Sequence, residues 1–133
     1  MLLHATYRHI FRASAWYDLL VTAAFATPWT LALIYSVFAL LHDRLGLPPL
    51  QKLSVEGVLF TNFFGSVVLV WALLRLRSDM IWMGRYDALA RALFSLWMVH
   101  ALLQGASPLL WGFLCIEAAF AVLQVLPYDA EEA

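Results

Sequence analysis

An acid in the middle of an apolar run is the first residue in this chain whose placement demands a chemical reason. Glu117 stands among Leu110, Trp111, Phe113, Leu114, Cys115 and Ile116 on one side and Ala118 to Val122 on the other. At the centre of a membrane helix such an acid costs roughly 2.5–3.5 kcal/mol on insertion scales. It must therefore be paired or protonated, and it could handle a proton, bind a ligand or hold neighbouring helices by a hydrogen bond. Helical spacing puts Leu110, Phe113, Ala121 and Gln124 on its face.

Asp87 and Arg91 are spaced i, i+4 with the acid first, the favourable order for an ion pair along a helix. Asp18 enters its own apolar run at a comparable depth. Asp18, Asp87 and Arg91 are expected to form an ion-pair cluster, either as an interfacial clamp or as the cytoplasmic mouth of a polar cavity. His100 shares a helix face with Trp97 and Gln104, roughly opposite Asp87 and Arg91. Asn62, Gly65 and Ser66 make a small polar face, suited to close helix approach and cross-helix hydrogen bonds. Asp18, Thr22, Phe25 and Trp29 follow one stripe, which Pro28 interrupts, freeing the carbonyl near Ala24.

An apolar bundle with a few convergent polar groups describes a small-molecule pocket. The expectation is that Glu117, Asn62, His100, Trp29 and Gln124 contact a small hydrophobic or weakly polar molecule that the protein binds or passes. A second reading makes the chain a structural or accessory subunit of a membrane complex, its polar groups holding helices together. A third makes it a small isomerase with Glu117 and His100 as acid and base.

Other chemistry is not signalled. The chain has no Gly-rich phosphate loop, HExxH or nucleophile elbow. Haem and a two-histidine metal site lack paired intramembrane histidines, since His4, His9 and His42 lie at other depths than His100. No cofactor or metal is expected. Cys115, the single cysteine, rules out an internal disulfide and reads as a small buried hydrophobe. A net charge of −1 with dispersed Lys and Arg argues against nucleic acid.

The elements that must position these residues are helices in lipid. The 133 residues are 64% hydrophobic and 13% charged, against roughly 45–50% and about 25% in soluble domains. Four runs approach the roughly 20 apolar residues that cross a bilayer, at 16–41, 55–74, 86–104 and 108–127. The first is too long and starts too late for a cleavable signal. Breaks at Gly46, Pro48 and Pro49, at the arginine-bearing stretch 75–85, and at Gly105 to Pro108 separate them. Residues 1–15 alternate apolar and basic side chains and read as an interfacial amphipathic helix. Residues 128–133 form an acidic tail.

The expected fold is thus all-α, an integral membrane four-helix bundle forming one transmembrane domain. Tyr17-Asp18 and Tyr86-Asp87 open the first and third runs, and Ala23 and Phe25 match Ala92 and Phe94 at the same offset, as in two tandem helical hairpins. Arg8, Arg12, Arg75, Arg77 and Arg85 outweigh Arg44 and Lys52 across the membrane, which places both termini in the cytoplasm of a bacterial-type inner or plasma membrane. The partners expected are the lipid bilayer, a second copy or another membrane protein, and a small hydrophobic ligand.

Overall fold

A computed structural model describes residues 1–129; the last four residues of the acidic tail lie outside the described residues. The described chain is all-helical, without strands. Helix α1 (His4–Thr22) leads through one 3₁₀ turn (Ala23–Phe25) into α2 (Pro28–Arg44). Helices α3 (Val55–Arg77), α4 (Met83–Leu103) and α5 (Leu110–Val125) complete the chain. It divides into two compact units, Met1–Ser14 with Ser78–Ala133, and Ala15–Arg77.

In the second of these units the run 16–41 is not the single helix that its apolarity suggests. The chain bends by 96° between the segment ending at Phe25 and α2. The cause is local. Pro28 is tolerated at the first helical position but biases Thr27 to extended backbone, and Thr27 has φ −133° and ψ 154°. Its hydroxyl then accepts from the Thr30 amide at 3.2 Å as the N-cap of α2. The carbonyls set loose by the break find donors: Thr30 Oγ1 donates to the Ala23 carbonyl at 3.3 Å, and Asn62 Nδ2 donates to that of Phe25 at 2.9 Å. Gly65, one turn on from Asn62, lets α3 close on this elbow, because a Cβ there would lie 2.5–2.7 Å from backbone atoms of Phe25 and Ala26.

Two helix ends obey the same chemistry. Gly46 (φ 65°) and Gly105 (φ 87°) adopt the left-handed conformation that suits glycine. Each closes a paired bond pattern: Gly46 to Asp43 and Leu47 to His42 after α2, Gly105 to Leu102 and Ala106 to Ala101 after α4. His42 Nδ1 also meets the Pro48 carbonyl at 2.7 Å, tying the connection to α3.

In the first unit, residues 1–15 are not a separate segment. No boundary divides them from Trp16 onward, because α1 runs unbroken from His4 to Thr22. Tyr7, Phe11 and Ser14 on its inner face are buried. Leu2 exchanges backbone hydrogen bonds with the chain after α5, donating to Pro127 at 2.8 Å and accepting from Asp129 at 2.9 Å. Tyr7 stacks on Tyr128 at 4.1 Å and donates its hydroxyl to the Gln124 carbonyl at 2.9 Å. Helices α4 and α5 form a hairpin; α5 begins at Leu110, two residues after Pro108.

Among the described residues one helix, α3, is by itself long and apolar enough to cross a membrane, and α1 with α2 passes the same test only as a bent pair. Only 11% of the apolar window of α3 is buried. Helix α5 is apolar but short, at 16 residues. The distribution of side chains is inverted. Ser14, Asp18, Arg75, Asp87, Arg91, Glu117 and Gln124 are buried, while Phe60, Phe63, Val67, Leu93, Leu96, Trp97 and Val122 are exposed.

Gly65→Ala is expected to lower stability by about 1–3 kcal/mol, because the added methyl meets backbone that cannot swing aside. Gly112→Ala, where a Cβ meets nothing, should be neutral or stabilising by up to about 1 kcal/mol from helix propensity alone. Thermal unfolding of the detergent-solubilised variants separates the two.

Candidate functional site

The first unit is organised around one guanidinium. Arg91 is 2% exposed and projects from the buried face of α4. Its Nε donates to Asp87 Oδ2 at 2.9 Å, one turn earlier on the same helix. Its Nη1 donates to Glu117 Oε2 on α5 at 2.7 Å, and its Nη2 to the Ser14 carbonyl of α1 at 3.3 Å. The cation also lies 5.0 Å from the centre of the Phe120 ring, within range of a cation–π contact. Arginine suits this position because its planar fork carries five donors and stays charged when buried.

A second layer surrounds the cluster. Gln124, fully buried and two turns beyond Glu117, donates through Nε2 to Ser14 Oγ at 2.7 Å. Ser14 Oγ donates to the Phe11 carbonyl at 2.9 Å and lies 3.4 Å from Asp87 Oδ2. Gln124 Oε1 is buried and has no hydrogen-bond partner among the described residues. Three elements, the start of α1, α4 and α5, thus meet through polar atoms. With all three groups ionised, Asp87, Glu117 and Arg91 together carry a charge of −1.

The second unit holds its own buried pair. Arg75 donates to Asp18 Oδ2, and both side chains are at most 9% exposed. The Arg75 guanidinium also lies 5.7 Å from the Trp71 ring, one turn back on α3.

The residues that the sequence singles out belong to both units. Glu117, Gln124, Asp87 and Arg91 are brought together in the first unit. Asp18 is held by Arg75 in the second. Asn62 is engaged with the Phe25 carbonyl, and Trp29 is 80% exposed at the start of α2. His100 lies on the exposed side of α4, turned roughly half a revolution from Arg91 by nine residues of helix. Glu117 is held by Arg91 on the buried side, so the two members of an acid–base pair do not face one centre. Cys115 is exposed rather than buried.

Two participants are not evident from composition. Apolarity alone ends the second span at residue 74 and leaves Arg75 in the connection, whereas α3 continues to Arg77. Ser14 falls in the basic stretch that reads as interfacial. A signal for Ser14 is nonetheless present: Tyr7, Phe11, Ser14, Asp18 and Thr22 recur every three or four residues, and all five are buried.

No protein-family model matches this chain, and comparison with curated proteins and with solved structures finds no significant similarity.

Arg91→Leu leaves two carboxylates facing each other in a buried site and is expected to cost about 3–5 kcal/mol. The triple variant Arg91→Leu with Asp87→Asn and Glu117→Gln should recover most of that loss, because it also removes the stranded charges. Melting temperatures of the single and triple variants in one detergent test this; equal destabilisation by both would mean that the charges are not what holds the site.

Proposed function

We propose that this chain is an integral membrane protein that serves as a structural or accessory component of a membrane assembly, with the Arg91 network as the device that fixes its fold. The observation that carries the reading is the occupancy of Arg91. Three of its five donors go to Asp87, Glu117 and the Ser14 carbonyl, from three different elements. A guanidinium committed in this way contributes architecture, and a ligand would have to displace a charge-assisted bond to reach it.

The membrane placement extends from α3 to the other apolar segments. The bent α1–α2 pair, α3, α4 and α5 would enter the bilayer as a four-span helical bundle. The exposed apolar side chains on these helices favour lipid as their surroundings. Buried charge on Arg91, Glu117 and Arg75 fits the rule that ionisable groups in membrane helices turn inward and pair. Both termini would lie on the cytoplasmic side of a bacterial-type inner or plasma membrane, a reading that the arginine balance supports. The exposed apolar faces of α3 to α5 then remain for lipid, a second copy or a larger membrane partner.

A second reading keeps the small-molecule pocket, and one observation favours it. Gln124 Oε1 is a buried acceptor without a donor among the described residues, which ordinarily costs about 1–3 kcal/mol. A small molecule bearing a hydroxyl or amine would remove that cost.

Glu117→Gln discriminates. In the accessory reading the amide oxygen still accepts from Arg91 and the excess negative charge disappears, so the variant should insert, stay monodisperse and keep its stability within about 1 kcal/mol. Crosslinking in membranes should then join wild type and variant alike to one foreign protein at fixed stoichiometry. Self-association alone, with loss of a ligand-induced thermal shift in the variant, would instead support the pocket. Topology is tested on a Cys115→Ser background with single cysteines at positions 48 and 106 against 79. The first two should react with an impermeant maleimide from outside, and the third only after permeabilisation.

A further inference from the structure

We propose that α2 does not continue across the bilayer from α1 but lies in the plane of the leaflet at the amino-terminal end of α3, with Trp29, Leu33 and Leu40 set among its acyl chains. The groups involved all belong to the second unit. Two joints run the end of α1 antiparallel to α3. Asp18 meets Arg75, and Phe25, seven residues further on, meets Asn62 and Gly65, at least ten residues back. The bend of 96° then sends α2 roughly across the direction of α3. Asn62 is seven residues into α3, so the elbow lies about 10 Å inside that end of the helix. Helices that lie in a membrane interface bury their apolar face to a similar depth, about 5–10 Å.

The chain after α2 doubles back along it. His42 Nδ1 meets the Pro48 carbonyl at 2.7 Å, and the Tyr35 hydroxyl donates to the Gln51 carbonyl. Seven helical residues and three extended ones each cover about 10 Å, so the two runs match in length. This return segment must then reach Val55, about 10 Å beyond the elbow along α3. It therefore covers the side of α2 that faces the start of α3. On the covered side Leu31 and His42 are buried, and Tyr35 and Phe38 are half-buried. At about 100° per residue, Trp29, Leu33 and Leu40 fall within roughly 40° of one another on the opposite side. They are 80%, 70% and 55% exposed. This bare face is directed toward the level of the middle of α3.

Lipid is the occupant that this level calls for. Phe60, Phe63 and Phe64 flank Asn62 on α3 and are exposed, so the elbow sits at an apolar depth. The exposed charges Asp43, Arg44, Lys52 and Glu56 stand at the far end of α2, in the return segment and on the first turn of α3. None falls between Trp29 and Leu40. The return segment thus separates α2 from water, and the bare face takes the place of acyl chains. The inference deepens the proposed membrane placement, on which it rests, and is independent of the role of the Arg91 network.

The test places spin labels on single cysteines in the full chain, on a Cys115→Ser background, reconstituted in phosphatidylcholine bilayers. Depth is read from the accessibility of each label to oxygen against a water-soluble nickel chelate. Trp29→Cys, Leu33→Cys and Leu40→Cys alter bare positions, so their melting temperatures should match that of the background protein. Their labels should all report the same depth and favour oxygen, while a label at position 51 should favour nickel. A crossing helix would instead spread the three over about 16 Å, at about 1.5 Å per residue. Labels at positions 60, 63 and 67 of α3 calibrate the scale and should deepen by about 10 Å in all. A depth gradient along α2 overturns the proposal in favour of a crossing helix. Immobile labels shielded from both reagents overturn it in favour of a second copy or a protein partner on this face. Labels that favour nickel put α2 in water and overturn it as well. If the α3 labels also fail to deepen, the membrane placement falls together with this proposal; if they deepen as expected, this proposal falls alone.

Discussion

A guanidinium that has been taken out of water must find its solvation inside the protein, and the architecture of the first unit is the answer to that requirement at Arg91. Desolvating the ion costs several kcal/mol, and attraction to a carboxylate offsets this only when the remaining donors are also satisfied. No single helix can supply all the acceptors. Asp87 comes from the same helix, Glu117 from α5, and the Ser14 carbonyl from α1. Each acceptor has a fixed direction, so satisfying the cation sets the rotation of α5 and the start of α1 against α4. The Gln124–Ser14 hydrogen bond and the Tyr7 hydroxyl on the Gln124 carbonyl then close the same three elements at the neighbouring level.

The second unit meets a similar requirement more simply. Asp18 and Arg75 make a neutral pair, one residue from each end of the segment Ala15–Arg77. Its other joint is steric and neutral: Gly65 admits the backbone of the elbow, and Asn62 takes the carbonyl that the Pro28 break leaves open. The matching Tyr17-Asp18 and Tyr86-Asp87 therefore lead to the same outcome, a buried aspartate on an arginine, by different routes. In one unit the arginine arrives from a distant helix; in the other it stands four residues on, and a second acid, Glu117, is added. The offset repeat in the sequence carries over to the aspartates and not to their partners.

That contrast separates local signals from tertiary ones. Signals that act through neighbouring residues are legible in the sequence. Gly46 and Gly105 end helices, Pro28 breaks one, and Asp87 with Arg91 forms the pair its spacing announces. The need of Glu117 for a partner is legible too, from the cost of its position, but not the partner's identity. Arg91 stands close enough to a helix end for its side chain to reach the interface, and its inward turn is a tertiary choice. Arg75 is hidden for the same reason. An arginine at the end of an apolar run is most often solvated, and its burial depends on Asp18, 57 residues earlier. The continuity of α1 is obscured differently. Composition changes from basic to apolar near Trp16, which suggests a boundary, while the buried stripe from Tyr7 to Thr22 runs straight through it. Periodicity is the better guide, because burial tracks the helix face and not the average character of the segment.

The inverted distribution of side chains gives these polar joints their weight. In water, helices are pressed together by apolar burial, and polar contacts mainly refine the arrangement. The apolar residues of α3 point largely outward, as Phe60, Phe63, Phe64, Val67, Val70 and Leu74 do, so they cannot supply that pressure. In the bilayer placement proposed for these helices, the driving force between them would fall to packing and hydrogen bonding. Each buried pair is then more than a local stabiliser. It discriminates against helix rotations that would bury equally apolar surface but strand a charge, a penalty that grows as the surrounding dielectric falls. A fold with so little apolar core can still be specific on this basis, because its few charged residues make the competing arrangements more costly than the native one.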